Sequence, residues 1–279
     1  MRTAPHIIIK AQSGWSGFNL KEFWQYRDLL YFMVLRDITV IYKQSVLGFA
    51  WALINPVFSM LVFTIVFGTL AGVPSDGIPY PIFSYAALIP WTYFSNALNA
   101  SGSSLVTNSS IFTKVYFPRL IIPLTPVLSK LADFGISFLI LIVMMIYYQF
   151  MPGWELLYLP LLIGIMMMTT FGLGMWTAAL AIQYRDVKFA LTFVIPLLMY
   201  AAPVVFPASL IEEKFGYQAY LLYGLYPMSG VIEGFRAAIV PGKTMPWDLI
   251  GMGALSSTVL LLIGGTVFRK MENKFADVA

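Results

Sequence analysis

The sequence contains no cysteine, a single histidine and few charges, with Asp, Glu, Lys and Arg together supplying only 11% of 279 residues. Without cysteine there is no disulfide framework, no thiolate metal site and no thiol nucleophile. The one histidine, His6, lies in the N-terminal segment, which removes most metal and Ser-His-Asp chemistry from the rest of the chain. Soluble domains carry about 25% charged residues, so this shortage excludes a soluble enzyme. A 59% apolar content excludes a disordered chain. The net charge of +4 does not point to nucleic acid, because such a surface gathers its bases on one exposed face, and here they are shared among separate loops.

What is present is long apolar sequence. A bilayer core about 30 Å thick needs roughly 20 apolar residues of helix. Six charge-free windows reach that length: 44–75, 77–113, 134–154, 156–184, 189–211 and 249–268. The predicted class is therefore an all-α membrane protein with six transmembrane helices. No short apolar stretch with a small-residue cleavage site precedes them, so no signal peptide is expected. Lys and Arg set the orientation. Thirteen fall in residues 1–46, 102–119, 183–188 and the tail 269–279, against three in 71–79, 151–156 and 207–247. Both termini are thus expected in the cytoplasm, around a transmembrane domain spanning 47–268.

Residues 20–44 contain no charge-free run longer than seven, so they do not span. At 100° per residue, Lys21, Gln25, Asp28, Arg36 and Lys43 fall in one arc, while Phe23, Trp24, Leu30, Phe32, Met33, Val34 and Ile41 take much of the rest. This predicts an amphipathic interfacial helix with its bases towards anionic lipid, or a helix packed on a soluble partner.

The outer segment 207–247 is too polar and interrupted for a seventh span and too apolar for a solvated loop. Its middle, 215–232, is charge-free and broken by Pro227. A pair of short re-entrant helices resolves the conflict; a plain outer cap is the alternative. Within it Glu233 and Arg236 are three apart and share a helix face, as do Lys130 and Asp133 in the third span. Pro123 and Pro126 are expected to delay that span's start and leave Lys130 near the interface, able to snorkel. Gly68/Gly72 and Gly230/Gly234 are spaced for close helix crossing. The run Pro241-Gly-Lys-Thr244 imitates the end of a phosphate-binding loop, but Ala237 stands where that motif needs glycine. The chain therefore has no nucleotide site of its own and no cofactor.

Three stretches carry a family resemblance: RDITVIYKQSVLGFAWALINP from Arg36 to Pro56, KVYFPR from Lys114 to Arg119, and YPMSGVIEGFR from Tyr226 to Arg236. Together they resemble ABC-2-type polysaccharide export permeases, which move lipid-linked O-antigen, capsule or teichoic-acid chains across the bacterial cytoplasmic (inner) membrane. The resemblance implies a homodimer with two copies of a P-loop ATPase subunit, in which ATP and Mg act. It also implies a coupling helix in the 102–119 loop and gate helices in 207–247, with Glu233 and Arg236 as a gate-helix pair.

On that basis the coupling segment Lys114, Val115, Tyr116, Phe117, Pro118 and Arg119 is expected to dock the ATPase, with Val115, Tyr116 and Phe117 forming an apolar knob. An aromatic interface anchor is the plainer alternative. A lumen for sugars should be aromatic and amide-lined. Trp51, Asn55 and Ser59 repeat every four residues along the first span, and Trp91, Tyr93 and Asn96 offer the same mixture in the second. The function expected is export of lipid-linked polysaccharide, O-antigen foremost. An exporter of small drugs or lipids, an ion-coupled secondary transporter and a membrane glycosyltransferase are the competing readings. The last two lack the carboxylate clusters they require.

Overall fold

A computed structural model describes residues 20–43, 50–112, 116–151, 153–272 and 275. Among them every regular element is helical. In chain order these are α1 (Leu20–Gln25), α2 (Arg27–Lys43), α3 (Ala50–Phe63, continued by a π turn over Thr64–Leu70), α4 (Tyr80–Thr107), α5 (Ser109–Phe112) and α6 (Ile121–Tyr147). There follow α7 (Leu159–Gln183, led by a 3-10 turn at Trp154–Tyr158), α8 (Asp186–Ala201), α9 (Ser209–Phe215), α10 (Tyr217–Tyr223), α11 (Pro227–Ile239) and α12 (Trp247–Glu272).

Four stretches of the described residues are long and apolar enough to cross a membrane: Ala50–Leu70, Ile121–Tyr147, Trp154–Gln183 and Trp247–Glu272. The other two charge-free windows became α4 and α8. The 28 residues of α4 are ample in length, but they include many Ser, Thr and Asn. The tertiary setting explains this: α4 is central, packing on α3, α6, α7, α8 and α11. Its buried hydroxyls meet protein backbone, Ser101 Oγ donating to the Pro123 carbonyl at 2.7 Å and Ser104 Oγ to that of Ser101 at 2.6 Å. The 16 residues of α8 rise only about 24 Å.

Two cores divide the bundle. The larger is built on Phe83, Tyr85, Phe94, Leu162, Met166, Phe235 and Ile239. The smaller joins the end of α4 (Leu105), the start of α6 (Ile121, Ile122), the end of α7 (Met175, Ala178) and the end of α12 (Phe268). Met33 of α2 is buried there, with Phe23, Tyr26 and Leu30 packed against it. Met33 and its neighbours thus face protein, while Trp24, Tyr31, Phe32, Leu35 and Val40 stay exposed. The exposed face of α2 is mixed, with Tyr31, Phe32 and Leu35 set among Arg27, Asp28 and Arg36.

Three sequence expectations change. The third span is not delayed: α6 begins at Ile121 and runs through both prolines. Pro123 sits in the first turn, where no helical donor is lost, so Lys130 stands about 14 Å up the axis. Gly68/Gly72 is not a crossing pair, since Gly72 has φ +62° and nothing near its missing Cβ. Gly230 of the other pair does sit at a tight crossing, where a Cβ would come 2.5 Å from the Leu249 carbonyl of α12, and a further one sets Gly264 of α12 with its missing Cβ 2.1 Å from the Gly172 carbonyl of α7. Finally, the outer segment holds three short helices, and Pro227 starts α11 instead of breaking a helix, as suits its fixed φ and absent N–H.

Candidate functional site

A cavity of about 180 Å³ lies among α3, α4 and α6. From α3 it takes Trp51 and Asn55, from α4 Thr92, Tyr93 and Asn96, and from α6 Lys130, Asp133 and Ser137. Four of the six lining candidates read from the sequence are therefore together. The other two are not: Ser59 lies further along α3, and Trp91 turns into the core beside Phe94, with ring centroids 5.4 Å apart.

Each wall has a local cause. Asn55 follows Trp51 by four residues, which brings both onto one helix face. Tyr93 is held from behind, its hydroxyl donating to the Val127 carbonyl at 2.7 Å and its ring set edge-on to Phe134 at 6.0 Å. Lys130 Nζ donates to Asp133 Oδ2 at 2.9 Å, and both side chains keep about a fifth of their surface open. Pro56 lacks the N–H that would serve the Ala52 carbonyl in α3. Ser137 of α6 offers a shared donor, its hydroxyl lying 3.2 Å from the Ala52 carbonyl and 3.0 Å from the Asp133 carbonyl of its own helix. Ser137, Thr92 and the cavity-facing position of the Lys130–Asp133 pair were missed in the sequence. The available signal was Pro56, since a proline inside a span calls for an outside donor.

The second constellation is centred on α11. Arg236 is fully buried and its guanidinium is satisfied on every side. It donates to Glu233 Oε1 at 2.8 Å and to the carbonyls of Val204 at 3.0 Å and Phe83 at 3.3 Å, and it stacks on the Phe83 ring at 3.5 Å. Glu233 Oε1 also accepts from the Ala208 N–H at 2.9 Å, so the pair clamps the turn at 202–208. Glu233 Oε2 accepts from Lys243 Nζ at 3.2 Å, and Lys243 bridges on to Asp76 Oδ2 at 3.1 Å. The lysine of the nucleotide-loop imitation is thus a structural cation, and Asp76, isolated in sequence, has a partner.

In the coupling segment, Lys114 and Val115 lie outside the described residues. Tyr116 is 64% exposed, but Phe117 is only 4% exposed and belongs to the smaller core. The expected knob is therefore split, with Phe117 an anchor. Pro118 leads into α6, and Arg119 donates to the Glu272 carbonyl beside the Phe275 ring. Arg36 of α2 reaches the same corner, its Nη2 donating to Asn108 Oδ1 at 3.2 Å. No His, Asp or Glu grouping among the described residues could hold a metal ion.

The profile of the ABC-2 type transporter family matches residues 28–239, which takes in the cavity, the coupling segment and the Glu233–Arg236 pair. The chain belongs to the ABC-2 type transporter family. Its similarity to individual proteins runs nearly end to end. It is 28% identical over 259 residues to the O-antigen export system permease protein RfbA of Myxococcus xanthus, covering 92% of this chain and 98% of that one. A Klebsiella pneumoniae protein of the same name is 27% identical, covering 90% and 95%. The polysialic acid transport protein KpsM of Escherichia coli is 23% identical, covering 86% and 92%. This ABC-2 chain is accordingly a multi-pass membrane protein of a transporter.

Proposed function

We propose that the chain is the permease subunit of an ABC transporter exporting lipid-linked polysaccharide, O-antigen foremost, across the bacterial cytoplasmic membrane. The observation that carries this reading is full-length similarity to proteins named for polysaccharide export. The higher identity and coverage fall on the O-antigen relatives, which favours O-antigen over capsule. A cavity lined by amides, an aromatic ring and an ion pair suits sugars better than the small apolar cargo of a drug exporter.

The finer features belong to the same proposal. Six crossings arise if α4 spans inside a protein sheath and α8 spans with the turn that follows it. The excess of bases on one side puts both termini in the cytoplasm. The exposed aromatic face of α2 suits the lipid interface, and the buried helix α11 suits a re-entrant position with the Glu233–Arg236 pair holding it in register. Two such subunits pair with two ATPase subunits that use ATP and Mg, docked at Tyr116 and its neighbours.

Deletion of the gene tests the reading. The expected result is loss of surface polysaccharide with lipid-linked polymer accumulating inside. A deletion strain with normal surface polysaccharide and no internal accumulation overturns it.

A further inference from the structure

The cavity among α3, α4 and α6 has features that the export reading alone does not demand. Asn55 and Asn96 are both exposed, and neither carboxamide makes a hydrogen bond among the described residues. A carboxamide left unpaired in hydrocarbon is costly, so these two face a wet space. Lys130 uses one of its three N–H donors, on Asp133. Trp51, 49% exposed, stands at the rim and offers a broad apolar face beside these polar groups.

Size and charge narrow the occupant. At a share of about 30 Å³ per water in the liquid, the cavity of about 180 Å³ holds about six waters. That is about the volume displaced by one pyranose ring, and the open side of the cavity lets the rest of a chain extend beyond it. The charges within it sum to zero, one ammonium against one carboxylate 2.9 Å away. A phosphate would meet Asp133 as closely as Lys130, and like charges repel. A sugar ring matches both halves of the lining. Its C–H face lies on indole, and its hydroxyls donate to carboxylate and amide oxygens and accept from ammonium and amide N–H.

We propose that this cavity is a subsite for a single neutral sugar residue of the exported chain, with Trp51 as stacking platform and Asn96, Lys130 and Asp133 as the hydroxyl-reading groups. The inference rests on the polysaccharide export reading and deepens it: the subsite selects which glycan enters. Its position behind α3, whose apolar stretch is 11% buried against 39% for Trp154–Gln183, leaves the occupant next to the least buried of the four candidate spans.

The test combines export and binding. A deletion strain is complemented with Trp51→Ala, with Asn96→Ala, and with the exchange Lys130→Asp plus Asp133→Lys, while membrane amount and thermal stability are followed. Each variant is expected to hold its membrane amount and lose at least tenfold in surface polysaccharide. The exchange keeps an ion pair, so a merely structural pair predicts full export from it. Full export from the exchange variant, or from both single variants, overturns the subsite while leaving the export reading intact. A deletion strain that still exports overturns both. In parallel, oligosaccharides released from the strain's own surface polysaccharide are titrated onto the full chain in nanodiscs and followed by tryptophan fluorescence. Saturable quenching that Trp51→Phe removes supports the subsite. Quenching unaffected by Trp51→Phe, none at all, or complete displacement by inorganic pyrophosphate overturns it.

Discussion

The Ser137 hydroxyl of α6 shares its one proton between the Asp133 carbonyl of its own helix at 3.0 Å and the Ala52 carbonyl of α3 at 3.2 Å, the second being the carbonyl that Pro56 leaves without a donor. A span in lipid has no water to fill such a gap, so one proline in one helix obliges a donor on another. Replacing Ser137 by Ala removes this shared donor and is expected to cost about 0.5–1.5 kcal/mol, read as a lower unfolding midpoint of the purified chain. Ser137→Thr, which keeps the hydroxyl, is expected to retain most of the stability.

The Glu233–Arg236 clamp predicts a larger loss. Removing one partner of a buried pair costs about 3–5 kcal/mol. Glu233→Ala strands a guanidinium that has no exposed surface. Membrane amount is expected to fall sharply. Arg236→Lys is expected to recover only part of it, since a point ammonium cannot reach Glu233, Val204 and Phe83 together as the fork does. Immunoblotting of membranes checks both.

Lys243 is the hinge between that clamp and the outer loop. Its pair with Asp76 is partly open to solvent on both sides, so a double-mutant cycle of Lys243→Ala with Asp76→Ala is expected to give a coupling of about 0.2–1 kcal/mol. The coupling should shrink in high salt. Unfolding of the purified variants at two salt concentrations measures it.

The α7–α12 crossing separates one glycine from another. Gly264→Ala drives a Cβ onto the Gly172 carbonyl, a backbone atom that cannot move aside, and is expected to destabilise by about 1–3 kcal/mol. Gly251→Ala, with nothing within 4 Å of the new methyl, is expected to be neutral or mildly stabilising. Thermal unfolding of the two side by side decides it.

The segment proposed to dock the ATPase divides at one peptide bond. Tyr116→Asp changes an exposed side chain, so it is expected to keep normal membrane amount and lose export with ATPase activity uncoupled. Phe117→Asp puts a carboxylate into the core shared with Ile121 and Phe268, and is expected to lower the amount of protein itself. Normal export by Tyr116→Asp removes the docking assignment.

Much was determined by sequence alone. Hydrocarbon admits only segments that are apolar and satisfy their own backbone, so the helical class and most of each long apolar span are written as charge-free runs, although the span Ile121–Tyr147 starts ahead of its run and takes in Lys130 and Asp133. The Glu233–Arg236 and Lys130–Asp133 contacts were legible because three residues along a helix return to the same face. The tertiary structure alone decided the rest. It set α4 at the centre, where polar hydroxyls are answered by neighbouring backbone. It brought Asp76 to Lys243, 167 positions apart, turned Phe117 inward beside an exposed Tyr116, and closed Trp51, Asn96 and Asp133 around one cavity. Periodicity reports which residues share a face of one helix. Which faces meet depends on how whole helices pack, and no local pattern carries that information.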